Sequence, residues 1–554
     1  MQNKLTPFQR FVGLLKLERK DFLQIIYYAI FAGLVSLSVP LGIQAIVNLM
    51  QGARISTSWV VLVILVTLGV AFVGVLQLMQ IRILENVQQK IFTRASFEFI
   101  YRFPKIKMDQ LKNFYPPELA NRFFDVLIIQ KGLSKVIIDF PAALTQVIFG
   151  LILLSLYHPF FIIYGVLLVL LIYIGFKITG KKGLDASISE SKYKYRIAHW
   201  IQEVARALVS FKISGRTNLA ISKNDSMLSS YLDAREGHFQ VLRIQFVQLI
   251  IFKVLVTAGL LAIGGMLVLN QQMNIGQFVA AEIIILLIIG SVEKIILGLE
   301  SFYDILTSLE KMGQVVDKEL ENQSGEEPFE VGEPLTIELD DVVYRGFDNE
   351  KIIRNVKLAI KPQDKILLKG NNGAGKSTLL KLIAGLIQPA SGDIYINNIS
   401  LKSIKPSHYR ALLGHSITEE SPFEGTILEN ITLGDKHISK QDVQWALENT
   451  GLLNFVKQQP KGLNTIIYPE GIQMPYSVSK KMILARSIVK RPSLLILNDP
   501  LDQLDAEEED RILKFLFNEE NNWSVIVASS DKKWEKYCNR IIQIEKGKII
   551  KNTE

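Results

Sequence analysis

Gly370-Asn371-Asn372-Gly373-Ala374-Gly375-Lys376-Ser377 is the stretch that decides how this chain is read. It fits G-x-x-x-x-G-K-[ST], a loop whose glycines let backbone N–H groups wrap a pyrophosphate. Lys376 is spaced to reach the β- and γ-phosphates, the Ser377 hydroxyl to ligate Mg²⁺, and Thr378 follows in the same turn. The setting agrees. An apolar run at 365–368 precedes the loop, and Leu379, Leu380, Leu382 and Ile383 follow at helical spacing. Strand, loop and helix together predict a nucleoside triphosphate site in an α/β domain. β-like runs at 335–339, 494–497 and 524–528 extend that domain over residues 335–554.

Working back from the loop, residues 319–334 are polar and acidic and read as a linker, and 300–318 carry a helical pattern. Before them the character changes. Segments at about 22–49, 59–81, 137–157, 159–178, 245–269 and 277–298 are each long and apolar enough to cross a bilayer. Residues 21–318 are therefore expected to form a membrane domain of six transmembrane helices. Residues 1–20, with Phe8, Phe11, Leu14, Leu15 and Leu17 among basic side chains, read as an interfacial helix rather than a cleaved leader.

The net charge of +8 in 554 residues is concentrated where a membrane explains it, so no nucleic acid partner is expected. The connection after the second segment carries Lys90, Arg94, Arg102, Lys105, Lys107 and Lys112, and that after the fourth Lys181, Lys182, Lys192, Arg196 and Arg206. The other connections are nearly uncharged, with only Arg54 in 51–58. The positive-inside rule then places the basic loops, both termini and the nucleotide domain in the cytoplasm. The long polar stretches after segments two and four read as helices projecting from the membrane, breaking at Pro116-Pro117 and Ser214-Gly215. Pro40 is expected to interrupt segment one. Lys253 and Glu282 lie inside segments five and six, as an internal ion pair or as a gating or substrate-contact pair. The lone Cys538 can form no internal disulfide.

Six spans followed by a phosphate-loop domain resemble a half-transporter of the ABC exporter family, over nearly the whole chain. Anchored on Gly471 and Asp505, the family's stretch from signature through Walker B to D-loop aligns without a gap, through Leu484-Ala485-Arg486, Pro492, 494–497 and Leu504-Asp505. Val39-Pro40-Leu41-Gly42-Ile43-Gln44 resembles the haemolysin-type, or type I secretion, group. The resemblance implies ATP and Mg²⁺ as cofactors and export across the inner membrane. It also implies a dimer with another ABC half-transporter subunit, identical or not, in which each ATP site joins one subunit's loop to the other's signature. A periplasmic adaptor is a further partner it allows. Coupling helices are implied near 117–125 and 207–216.

The departures fall on the chemistry. The LSGGQ signature falls on Met474-Pro475-Tyr476-Ser477-Val478, where Pro475 removes an N–H and a hydroxyl and Tyr476 fills a place that needs no side chain. The Walker B aspartate falls on Asn498, the catalytic glutamate on Asp499 and the Q-loop glutamine on Thr418. The switch histidine falls on Ser530, which cannot act as acid or base near pH 7. Slipping the register by one makes Asp499 the Walker B carboxylate but puts Pro500 in the base position. The adenine-stacking position falls on Gly346, with Tyr344 and Phe347 as nearby substitutes. An intact loop with these losses predicts ATP binding with weak or no hydrolysis by this chain alone. Three readings follow: a transport subunit completed by a partner, a catalytically inactive membrane scaffold, or an active homodimeric exporter.

Overall fold

The structure is a computed structural model that describes residues 5–50 and 57–553, except for the side chains at 172, 175, 176 and 178. Arg54 lies outside the described residues. The chain divides into two compact units. One holds Met1–Pro104 and Phe114–Lys318, the other Lys105–Asn113 and Glu319–Glu554.

The first unit is helical. Pro7–Leu17 opens with a capping box, in which Thr6 Oγ1 accepts from the Gln9 N–H and Gln9 Oε1 accepts from the Thr6 N–H. Segment one is two helices, Arg19–Ser36 and Ser38–Met50. The break falls at Leu37 rather than at Pro40, because a proline ring clashes with the carbonyl four residues before it, here that of Ser36. The helices Thr57–Arg102, Phe160–Arg206, Leu219–Leu269 and Ile275–Val316 run 46, 47, 51 and 42 residues. A bilayer takes about 20, so each continues well past its apolar part. The first of them stops before Pro104, earlier than the expected Pro116-Pro117 break, because the residue before a proline is driven out of the helical region. Asp125–Ser134 and Phe140–Tyr157 are joined by a π-turn at Lys135–Asp139, where Pro141 withholds an N–H from the helical ladder.

Among the described residues five helical stretches meet the length and apolarity of a membrane span, and the Phe160 helix adds the apolar Phe160–Leu171. Leu154, Phe161, Leu168, Leu249, Val256, Ile284 and Ile288 form a buried core between these helices. The expected Lys253–Glu282 pair does not form. Lys253 Nζ meets Glu293 at 2.8 Å, and Glu282 is exposed. The cause is hairpin register. Lys253 and Glu293 each lie about twenty residues from the 270–274 turn, and Glu282 only about ten, so antiparallel packing sets the first two side by side.

Among the described residues the second unit has twelve strands: β1 (Ile337–Arg345), β2 (Lys351–Ile360), β3 (Lys365–Lys369), β4 (Ser391–Ile396), β5 (Ile399–Ser400), β6 (Leu413–Ser416), β7 (Gly425–Thr426), β8 (Ile466–Ile467), β9 (Leu494–Asn498), β10 (Ser524–Ala528), β11 (Arg540–Glu545) and β12 (Lys548–Thr553). Six of them form a sheet ordered β12-β11-β3-β10-β9-β6, parallel except for β12. Another four form an antiparallel sheet ordered β2-β1-β4-β5. The two-residue strands β7 and β8 pair separately.

Alternation along the central strands makes two cores. Ile366, Leu368, Leu494, Ile496, Ile526 and Ala528 face one cluster, shared with the antiparallel sheet. Leu367, Leu495, Leu497, Val525 and Val527 face the other, shared with the helix Tyr476–Ile488. A strand buried on both faces reads as a continuous apolar run, which is how 494–497 reads in the sequence. Residues 319–334, read as a linker, fold onto this unit. Arg410 donates twice to the Glu321 carboxylate at 2.8 Å, and the Glu326 N–H donates to Ser403 O at 2.9 Å.

Candidate nucleotide site

Parallel strands all end at one edge of a sheet, and ligands of open α/β sheets bind beyond that edge. Five strands end there in the order β11, β3, β10, β9, β6. The phosphate loop leaves β3 and enters the helix Lys376–Ile383. Gly375 has φ +107°, a conformation that side chains disfavour, and a Cβ on Gly370 would lie 2.3 Å from the Ile544 carbonyl oxygen. Both glycines are therefore required by geometry. Ala374 and Gly375 are buried beneath the loop, while Asn371, Asn372, Gly373 and Ser377 are exposed and Thr378 half-buried. Lys376 Nζ donates to the carbonyls of Gly370 at 2.6 Å and Asn371 at 3.2 Å. Its charge rests against dipoles, and no carboxylate of the described residues forms an ion pair with it. Free N–H groups at a helix start, glycine loop and lysine together make an anion cradle.

The neighbouring strand ends hold the other sequence candidates. Asn498 closes β9, and its Nδ2 donates to Thr418 Oγ1 at 2.5 Å. Thr418 lies two residues past β6. Asp499 is exposed, has φ +42°, and donates its N–H to the Ala528 carbonyl at the end of β10 at 3.0 Å. Ser530 is exposed two residues beyond β10. So the structure brings Thr418 and Asn498 into contact and sets Asp499 and Ser530 along the same edge as the loop.

Mg²⁺ takes oxygen ligands, chiefly carboxylates and phosphates. The candidates here are two hydroxyls, Ser377 and Thr418, and one amide, Asn498, whose Nδ2 donates to the Thr418 hydroxyl. In either amide orientation the pair offers no anionic oxygen. This donor set does not fit a protein-held Mg²⁺.

The aromatic candidates separate. Tyr344 is 7% exposed. Its Oη donates to Asp109 at 3.2 Å, and the Lys112 ammonium lies 4.6 Å from the ring centroid. Burial raises its phenol above the ordinary value. Its ring is thus already engaged, whereas Phe347 is 69% exposed. The contacts of Asp109 and Lys112 with Tyr344 are not legible in the sequence, because these residues sit more than 230 positions from it. Asp109 lies in the short helix Met108–Leu111 and Lys112 caps its C-terminus, and this helix groups with the same unit. Residues 117–125, where the first coupling segment is expected, lie in the helical unit, where Arg122 and Asp125 are buried around Tyr195. Helix Leu208–Ile213 falls where the second coupling segment is expected. At the signature position Pro475 caps the helix Tyr476–Ile488, and Tyr476, 49% exposed, stands at its first position.

Two family models match this chain, one described as ABC transporter transmembrane region over residues 22–292 and one as ABC transporter over residues 353–502. The chain belongs to the ABC transporter family. It is an integral membrane protein with an ATP-binding domain, of a kind that acts as dimers within the membrane. It is 28% identical over 355 residues to the alpha-hemolysin translocation ATP-binding protein HlyB of Escherichia coli O157:H7, covering 63% of this chain and 50% of that one. It is 22% identical to the lactococcin-A transport/processing ATP-binding protein LcnC of Lactococcus lactis subsp. lactis, over all of this chain and 77% of that one. The chain spans about half the length of the HlyB relatives it matches. A solved bacterial Atm1-family ABC exporter with ATP bound superposes with a TM-score of 0.86 and 16% identity, covering 97% of this chain and 95% of that one, which shows the same fold.

Proposed function

We propose that this chain is one half of a dimeric exporter in the cytoplasmic (inner) membrane, with its termini and ATP domain in the cytoplasm. It binds ATP at the 370–377 loop, and a partner ABC half-subunit carries most of the hydrolysis. The observation that carries this reading is the contrast within one sheet edge. The loop is complete, with Lys376 held at its mouth, while a neutral Asn498 is hydrogen-bonded to Thr418 where the chemistry calls for an acidic and an amide group.

The roles run as follows. Backbone N–H groups of the loop and Lys376 bind the phosphates, and Phe347 offers the open aromatic face for the base. Asp499 is the one carboxylate left near the base position, one methylene short of glutamate, and a base must sit within about 2.6–3.2 Å of its proton. Ser530 offers no titrating group at neutral pH. Pro475 and Tyr476 cripple the signature this chain would lend to its partner's loop. A homodimer would repeat every one of these losses in both sites, which favours a partner with intact chemistry. The names of HlyB and LcnC favour a polypeptide cargo and leave room for a periplasmic adaptor.

The test is affinity purification of the full chain from its native membrane. Recovery of a second ABC half-subunit with an intact signature and Walker B glutamate supports the reading. Export of a peptide by the isolated homodimer in liposomes overturns it in favour of a self-sufficient exporter. Failure to recover any second ABC half-subunit, with no export by the isolated homodimer, favours the inactive scaffold.

A further inference from the structure

We infer that this site binds its nucleoside triphosphate without help from a divalent cation, holding the metal-free polyphosphate as well as the magnesium complex. The inference rests on the nucleotide reading above and concerns what else that site demands. In a site that holds Mg²⁺, part of the nucleotide's affinity comes through the ion, from protein carboxylates and oriented hydroxyls bound to it directly or through water. Here the position at the end of β9 is Asn498, a neutral group. Its Nδ2 donates to Thr418 Oγ1 at 2.5 Å, so the two side chains that flank the cation position are tied to each other and neither carries a charge.

Charge points the same way. Replacing a carboxylate by an amide removes one negative charge from the wall facing the phosphates. An ATP without its magnesium carries two more negative charges, which a carboxylate at 498 would repel and an amide does not. Lys376 remains, its ammonium resting on the carbonyls of Gly370 and Asn371, ready to transfer to phosphate oxygens. The cation's neutralising work thus passes to the lysine and the loop's N–H groups. Within the cell such a site stays occupied whatever the free magnesium level, which suits a subunit that contributes binding and leaves hydrolysis to another.

The experiment uses the full chain in lipid nanodiscs and a fluorescent trinitrophenyl-ATP probe, titrated in excess Mg²⁺ and again in excess EDTA, with ATP as competitor. The expected result is affinities within about threefold of each other, both reduced by Lys376→Ala. Asn498→Asp, nearly isosteric, should open a gap of about tenfold or more in favour of Mg²⁺, chiefly by weakening binding in EDTA. Binding of the unmodified chain that is lost in EDTA overturns the inference and leaves the nucleotide reading standing, with Asp499 the carboxylate to suspect. Absence of Lys376-dependent binding in both conditions overturns the nucleotide reading and the inference with it.

Discussion

The end of β3 and the end of β9 lie in the same parallel sheet, with only β10 between them, yet they have kept different things. At β3 both the backbone and the side chains of a phosphate site are in place. Gly370 and Gly375 occupy positions where a side chain would clash or strain, and Lys376 is held at the mouth. At β9 the backbone is equally regular, with Asn498 in register beside Ala528, but the strand ends on a neutral amide, and Asp499 is the carboxylate that follows it. On the function proposed above, fold and binding are separated from chemistry within one sheet edge. Burial fixes Leu495, Ile496 and Leu497 whatever the activity, whereas nothing in the packing demands a carboxylate at 498.

The comparison can be broken at several points. The largest effect is expected beneath the loop. Leu367 is fully buried in β3, and Leu367→Ala should destabilise the ATP-binding unit by about 2–5 kcal/mol, seen as a lower thermal midpoint. If stability is unchanged, the strand is not what holds the loop. Next, Lys376→Ala removes a charged donor to phosphate, worth about 1.5–3 kcal/mol. Nucleotide affinity should fall by about ten- to a hundredfold while the thermal midpoint without nucleotide holds. Equal affinity would mean the loop is a relic like the β9 end. A smaller loss, of about 1–3 kcal/mol at most, is expected for Phe347→Ala if the base stacks there. Tyr344→Phe should change affinity little, and the reverse ranking would return the stacking role to Tyr344. The smallest effect concerns Cys538, whose thiol burial pushes up to about 12. The thiolate is the reactive form, so a thiol reagent at pH 8 should label the folded chain far more slowly than the denatured one. Reaction should quicken only as the pH climbs towards 12.

Much of this was legible in the sequence, for reasons that sort by range. The loop spacing, the continuous apolar strand runs at 494–497 and 524–528, and the apolar spans are local patterns, and each appears where its pattern lies. What the sequence hid depends on contacts between distant residues. The partner of Lys253 is set by the register of a hairpin, not by which helix carries a charge. The ring of Tyr344 is taken by Asp109 and Lys112, residues with no motif of their own. Glu321 ties the expected linker to Arg410. Leu37 breaks the first span because of a proline three residues later. At the site, the losses at 418, 498 and 475–476 could be seen as replacements, but the hydrogen bond joining Asn498 to Thr418 could not.

The most direct test of the separation between binding and chemistry is ATP turnover by the purified chain alone in lipid nanodiscs, with Mg²⁺ present, against the Lys376→Ala variant. Turnover no higher than that of the variant, with nucleotide still bound by the unmodified chain, is the predicted result. Turnover well above it would contradict the account, because it would mean that Asp499, Ser530 and the 474–478 segment still sustain hydrolysis.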